Sequence, residues 1–218
     1  MELEIRRATL GMVQTNAYIV GDKDTGDAVL IDPVDDAQAL YDAVQEAGWT
    51  IKLILATHAH FDHVLASKEF KALTNAPFWI HEDCVEQLKQ LPETGKRFGL
   101  GDLPEAAEPD KLLGSERETI QIGDLKFETL YTPGHAVGHL SFYMPEHNLV
   151  FSGDALFQGS IGRVDLPGGN YEQLMQSIFT QLIPLGDDTL VLPGHGINTT
   201  IGCEKQTNPY LLSWDGVG

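Results

Sequence analysis

The sequence predicts an α/β fold, a sandwich built from two similar halves, and three observations carry that expectation. Short apolar runs of strand length alternate with segments whose apolar residues recur at helical spacing. Each half of the 218-residue chain passes through several such runs before a long amphipathic helix. Residues of metal-ligand type recur at the ends of the apolar runs. No linker or low-complexity tract interrupts this rhythm, so residues 1–218 are expected to form a single domain.

The elements follow in order. LEIRRA (3–8), NAYIVGD (16–22) and AVLIDP (28–33) read as strands, with Gly11 and a Thr15–Asn16 turn between the first two. A helix is expected from Asp36 to Ala47. Asp35 or Asp36 can cap it, Ala37, Leu40, Tyr41, Val44 and Ala47 share one face, and Gly48 stops it. IKLIL (51–55) suits a strand buried on both faces. A helix from Asp62 to about Leu73 and a strand PFWIH (77–81) come next. Residues 91–114 hold three prolines and four glycines and show no period. They read as a long loop, either a lid over a site or a disordered insertion. Strands resume at TIQIG (119–123), LKFETLYT (125–132), HLSFYM (139–144) and NLVFSGD (148–154). A helix from Asn170 to about Leu182 carries the stripe Tyr171, Leu174, Met175, Ile178, Phe179, Leu182. TLVLPGHG (189–196) is a last strand running into a loop.

Composition limits the partners. The hydrophobic fraction of 42% is ordinary for a globular protein, whereas the formal net charge of −18 is not. Such a surface repels phosphate backbones and anionic lipid, which excludes nucleic acid and membrane as partners. The first dozen residues lack an apolar stretch of signal-peptide length and no 18-residue apolar run occurs, so a cytoplasmic location is expected. Cys84 and Cys203 stand in unlike contexts and read as two thiols rather than a disulfide. His81 and His147 read as surface residues.

The chemistry concentrates in THAHFDHV (57–64), where His58, His60, Asp62 and His63 fall within six positions. If IKLIL is a strand, His58 and His60 lie just past its end and can point the same way. Asp62 and His63 begin the next helix and project from another angle. That geometry suits two metal ions close together, His58 and His60 on one, Asp62 and His63 on the other. TPGHAVGH (132–139), FSGDALF (151–157) and LPGHG (192–196) add His135, Asp154 and His195, each at the end of an apolar strand and beside glycine. Asp154 could bridge both ions, leaving room for water.

The set H-x-H-x-D-H, then G-H, G-D and P-G-H, in this order and spacing, resembles the metallo-β-lactamase superfamily, and the resemblance covers nearly the whole chain. Within it, GDALFQGSIGRVDLPGG (153–169) and LPGHG look most like glyoxalase II, or hydroxyacylglutathione hydrolase, of the short single-domain bacterial type. The resemblance implies a four-layer αββα sandwich with two divalent metal ions at the strand ends. Zinc is the first choice, and iron or manganese suits the same ligands. It assigns His58, His60 and His135 to one ion and Asp62, His63 and His195 to the other, with Asp154 between them. Asp62 and Asp154 then act in catalysis through a metal-bridging hydroxide that attacks a thioester carbonyl. Asp32 can hydrogen-bond a ligand histidine or be a plain strand-end carboxylate, and His139 reads as a strand cap more than as such a support.

The substrate implied is a small thioester, a glutathione conjugate such as S-D-lactoylglutathione. Arg163 matches the position where glyoxalase II enzymes hold a glutathione carboxylate, while Asp165 stands where many of them carry tyrosine. An Arg163–Asp165 pair shaping the loop is the competing reading. With 23 residues after His195, the C-terminal helical domain that supplies further basic contacts in longer relatives is not expected here. The alternatives are a mononuclear-iron persulfide dioxygenase, which usually carries Gly-Cys-Gly-Arg-Thr where this chain has Gly-Ser-Ile-Gly-Arg, and another metallo-hydrolase of the superfamily.

Overall fold

The computed structural model describes residues 1–97 and 99–216. The chain folds as two compact units, each with its own sheet.

The first unit spans Met1–Leu113 together with Gln121–Leu125. Its sheet takes the strands in chain order: β1 (Leu3–Leu10), β2 (Thr15–Asp22), β3 (Asp27–Ile31), β4 (Thr50–Leu55), β5 (Phe78–His81) and β6 (Lys111–Leu113). The first three pair antiparallel and β3 to β6 pair parallel. Parallel neighbours need crossovers, which α1 (Ala37–Ala47) supplies between β3 and β4. The Asp36 side chain accepts from the Ala39 N–H at 3.0 Å, and Gly48 closes the helix with φ 70°. Such a cap contributes about 1 kcal/mol. Leu40 and Val44 bury this helix against Trp49, Phe70 and Phe78.

Three expectations change here. In β4, Lys52 is exposed and pairs with Asp27 at 3.3 Å, so burial on both faces begins at Leu53. The helix expected over residues 62–73 divides into α2 (Phe61–Val64) and α3 (Ser67–Thr74), because the Ala66 N–H donates to the Pro33 carbonyl at 3.0 Å. That tertiary bond replaces the helical one Ala66 would make one turn back. The stretch after β5 is not a structureless insertion: α4 (Val85–Lys89), α5 (Leu91–Arg97) and β6 fall in or beside it. Ala107 N–H donates to Ser67 Oγ at 2.9 Å, Lys71 pairs with Asp110 at 2.7 Å, and Leu91, Ala107 and Leu113 are buried. His81, expected at the surface, is buried, with its Nδ1 accepting from the Asp83 N–H at 3.1 Å.

The second unit comprises Gly114–Ile120 and the chain from Lys126 on. In chain order the strands after β6 are β7 (Thr119–Ile122), β8 (Leu125–Tyr131), β9 (Leu140–Met144), β10 (Leu149–Gly153), the ribbon β11 (Leu156–Phe157) and β12 (Ser160–Ile161), β13 (Leu190–Pro193) and β14 (Thr199–Thr200). The sheet order is β14-β13-β10-β9-β8-β7, a meander from β8 to β10 with β13 parallel to β10. The expected helix 170–182 is present as α6 (Tyr171–Ser177), capped by Asn170, and its continuation Ile178–Leu182 widens to π geometry. Leu174, Met175, Ile178 and Leu182 bury it against Leu130, Val150 and Val191. Two further short helices, α7 (Ile201–Thr207) and α8 (Pro209–Ser213), follow β14. Buried Glu204 anchors them, accepting from Gly159 N–H at 2.8 Å, Thr199 Oγ at 2.5 Å and Asn208 Nδ2 at 2.9 Å.

Candidate metal centre

In the first unit the parallel ladder ends at Leu55, and His58 and His60 follow in the loop leading to α2. Asp62 and His63 lie in the first turn of that helix, as the spacing predicts. The His58 ring stands 4.6 Å from that of His60 and 4.2 Å from that of His63, centroid to centroid. His63 Nε2 lies 3.5 Å from Asp62 Oδ2.

The supporting bonds decide which nitrogens face a metal. Asp32 directly follows β3 in a left-handed conformation, φ 57°, and its buried carboxylate takes three bonds. Thr57 N–H donates to Oδ1 at 2.7 Å, Thr57 Oγ to Oδ2 at 2.9 Å, and His63 Nδ1 to Oδ2 at 2.8 Å. Since the Thr57 hydroxyl spends its proton on Asp32, it accepts from His58 Nδ1, 3.0 Å away. His58 and His63 thus both carry the proton on Nδ1 and offer Nε2 as the ligand atom. Thr15, at the start of β2, donates its hydroxyl to Asp62 Oδ2 at 2.7 Å, a partner that sequence spacing does not reveal.

The second unit gathers the other three residues. His135 lies in the loop after β8, Asp154 follows β10, and His195 follows β13. Asp154 Oδ2 is 3.5 Å from His135 Nε2 and 3.4 Å from His195 Nε2. His135 Nδ1 donates to the Arg163 carbonyl at 2.8 Å, so this histidine also presents Nε2. Gly162 makes that approach feasible: a Cβ there would run into the Asp154 carbonyl and come within 3.0 Å of the His135 side chain. The Phe157 and His195 rings meet in a T-shaped arrangement at a centroid distance of 6.0 Å. Contrary to the strand-cap reading, His139 Nε2 accepts from the Asp154 N–H at 3.0 Å.

The seven expected ligands therefore fall into two clusters, His58, His60, Asp62 and His63 in one unit and His135, Asp154 and His195 in the other. The donor types suit divalent ions. Imidazoles of fixed tautomer beside carboxylates are a donor set for zinc, iron or manganese, and burying a carboxylate such as Asp154 is costly unless a cation shares the site. Arg163 is different. Its guanidinium grips Asp165 through Nε–Oδ1 and Nη2–Oδ2, both 2.7 Å, with the two side chains 62% and 66% exposed. That guanidinium holds the Asp165 carboxyl down at about 2.

The family model of the metallo-β-lactamase superfamily matches residues 10–195, the span that holds all seven residues. The chain belongs to that superfamily. Among its relatives, hydroxyacylglutathione hydrolase GloC of Haemophilus influenzae is 40% identical over 98% of this chain and 99% of its own length. The crystal structure of BLEG-1, a B3 metallo-β-lactamase, superposes with a TM-score of 0.90 at 38% identity, covering 95% of this chain and 99% of that one. TTHA1623 in a di-iron-bound form superposes with a TM-score of 0.85 at 38% identity, over 94% and 100% of the two chains. The fold is thus the α/β metallo-β-lactamase fold that the motifs imply. Metallo-β-lactamase superfamily members use metal ions and are generally hydrolases. Among the described residues, no helix is long and apolar enough to cross a membrane.

Proposed function

We propose that this metallo-β-lactamase superfamily member is a binuclear metal-dependent thioester hydrolase acting on hydroxyacylglutathione, S-D-lactoylglutathione above all. The likeness to GloC, 40% over 98% of the chain, carries the reading, and the seven-residue donor set supports it. His58, His60, Asp62 and His63 of the first unit and His135, Asp154 and His195 of the second would be the ligands of the two ions. Two divalent ions, when bound, would supply an acidified water and polarise the scissile carbonyl. The remaining work is orientation by the chain. Asp62 and Asp154 would act through the metal-bound water by way of their carboxylates. Thr15 fixes the rotamer of Asp62, and Asp32 fixes the tautomer of His63. No side-chain nucleophile is needed.

A net charge of −18 makes a local cation valuable to an anionic conjugate, and Arg163 is the only basic residue between Lys126 and Lys205. It would take the glutathione carboxylate by exchanging it for Asp165. A cytoplasmic location suits a glutathione substrate, because glutathione keeps that compartment reduced. The likeness to BLEG-1 favours one second reading, hydrolysis of a β-lactam amide at the same centre. Assays on S-D-lactoylglutathione and on a chromogenic cephalosporin, run beside elemental analysis, separate the two. Thioester turnover with two metals per chain is expected. Cephalosporin turnover alone would replace the reading, and one iron with oxygen consumption on glutathione persulfide would revive the dioxygenase.

A further inference from the structure

We infer that His139 is a positioning residue for Asp154, acting through a chain of hydrogen bonds that leaves the Asp154 backbone and returns to the same strand two residues away. The inference rests on the proposal that Asp154 is a metal ligand. The ladder of β9 on β10 pairs Met144 with Leu149, Tyr143 with Val150 and Phe142 with Phe151. Continued in register, it sets Ser141 opposite Ser152 and His139 opposite Asp154. The ladder of β8 on β9 pairs Tyr131 with Leu140, and its next rung, Thr132 N–H to the His139 carbonyl, is 2.9 Å. Thr132, His139 and Asp154 therefore form one row across three strands.

The Asp154 N–H can only donate, which sets the direction of every bond in the chain. It donates to His139 Nε2 at 3.0 Å, so the neutral ring carries its proton on Nδ1. That proton goes to Thr132 Oγ at 2.8 Å. The Thr132 hydroxyl donates to Ser141 Oγ at 2.9 Å, and Ser141 donates to the Ser152 carbonyl at 3.3 Å. Thr132, His139, Ser141 and Ser152 are all buried. The two ends of the chain, Ser152 C=O and Asp154 N–H, bracket Gly153, which sits at φ 50°.

That is where β10 departs from regular strand. Against β13, Phe151 pairs with Leu192 and Gly153 with Pro193, so Ser152 is an extra residue, a bulge. A bulge re-aims the side chain that follows it and leaves ladder groups needing partners. His139 meets the Asp154 N–H, and its hydroxyl relay joins the Ala155 N–H, 3.1 Å away, on the Ser152 carbonyl, so that together they hold the turn that directs the Asp154 carboxylate. This role explains a histidine that the metal chemistry does not consume. Outer-shell partners of this kind typically change metal affinity by about 10- to 100-fold.

Two substitutions divide the ring's functions. In His139→Gln the amide oxygen reaches the position of Nε2 and still accepts from Asp154, while the bond to Thr132 is lost. In His139→Asn the amide reaches only as far as Nδ1, so Thr132 keeps its partner and the Asp154 N–H loses its own. Zn2+ affinity would be measured by competition with a chromophoric chelator, beside thermal unfolding of the metal-stripped proteins. Similar metal-free stabilities are expected, with His139→Asn binding Zn2+ about 10-fold or more weakly than His139→Gln. Equal Zn2+ affinities in the two variants would overturn the positioning role. Wild-type protein that takes up no Zn2+ would instead overturn the metal reading beneath it. Should neither variant fold, Ser141→Ala removes the last link with a smaller change. It is expected to release Zn2+ severalfold faster than wild type, and wild-type retention would overturn the inference.

Discussion

Replacing Asp32 with asparagine isolates the contribution of the bonds behind the ligands. The change is nearly isosteric, and asparagine tolerates the left-handed backbone that Asp32 adopts at φ 57°, so the strand end should not be strained. The amide oxygen can keep the Thr57 N–H, now 2.7 Å from Oδ1. The amide nitrogen then replaces Oδ2, which accepts from both Thr57 Oγ and His63 Nδ1 at 2.9 and 2.8 Å. Donors would face donors. His63 answers by moving its proton to Nε2, which disables the ligand atom, or by rotating away. Loss of such an outer-shell carboxylate costs about 10- to 100-fold in metal affinity. That is ~1.4–2.7 kcal/mol of metal-linked stability at fixed metal concentration. At ~2–4 °C per kcal/mol for a chain of this size, the rise in Tm produced by Zn2+ should shrink by ~3–10 °C. Melting wild type and Asp32→Asn with and without Zn2+ cancels the variant's own effect on the metal-free fold. An undiminished Zn2+-dependent rise in Asp32→Asn would refute the tautomer argument.

Three further outcomes are expected. Gly162→Ala should lose metal, since its new Cβ collides with the Asp154 backbone, which no rotamer can relieve, and elemental analysis showing full occupancy would contradict this. Burial pushes the Cys84 thiol from its ordinary 9.0 up to about 12. The unfolded chain therefore loses this proton first, so stability falls as pH rises between those values, by up to ~4 kcal/mol from this group. Denaturant titrations should show a flatter alkaline decline for Cys84→Ala, with some slope remaining because burial raises the Tyr18 phenol as well. Arg163→Ala should raise KM for S-D-lactoylglutathione with little change in kcat, while Asp165→Asn, by releasing the guanidinium, should lower it. Equal shifts for a thioester lacking the glycyl carboxylate would show that the pair only shapes its loop.

The regular elements are legible because their cues are local. Asp36, the apolar face of α1 and Gly48 mark start, packing side and stop within a dozen residues. The failures occur where a distant partner decides. Nothing near Ala66 announces that its N–H belongs to Pro33, so the spacing predicts one helix where two form. The helices α4, α5, α7 and α8 run only five to seven residues, too short for a 3.6-residue period to register. His81 looks exposed because an imidazole is polar, yet its β5 neighbours Phe78 and Ile80 are buried with it.

The ligands themselves follow from spacing because each sits just past an apolar strand or in the first turn of the helix behind it, and both places are visible in sequence. Their supports belong to another level. His63 takes its partner from 31 residues away, His135 from 28, and Asp62 from 47. His139 shows what would have made such a support legible. Read alone, it is a polar residue opening a strand. Once β8, β9 and β10 are recognised as a meander, the rung joining Tyr143 to Val150 already places His139 across from Asp154, and the rung joining Tyr143 to Glu128 already places it across from Thr132. The side-chain chemistry at those positions, an acceptor nitrogen facing a backbone N–H and a ring N–H facing a hydroxyl, then assigns the role. What sequence lacked was the pairing register, a single integer for each pair of strands, and the whole buried relay follows from two of them.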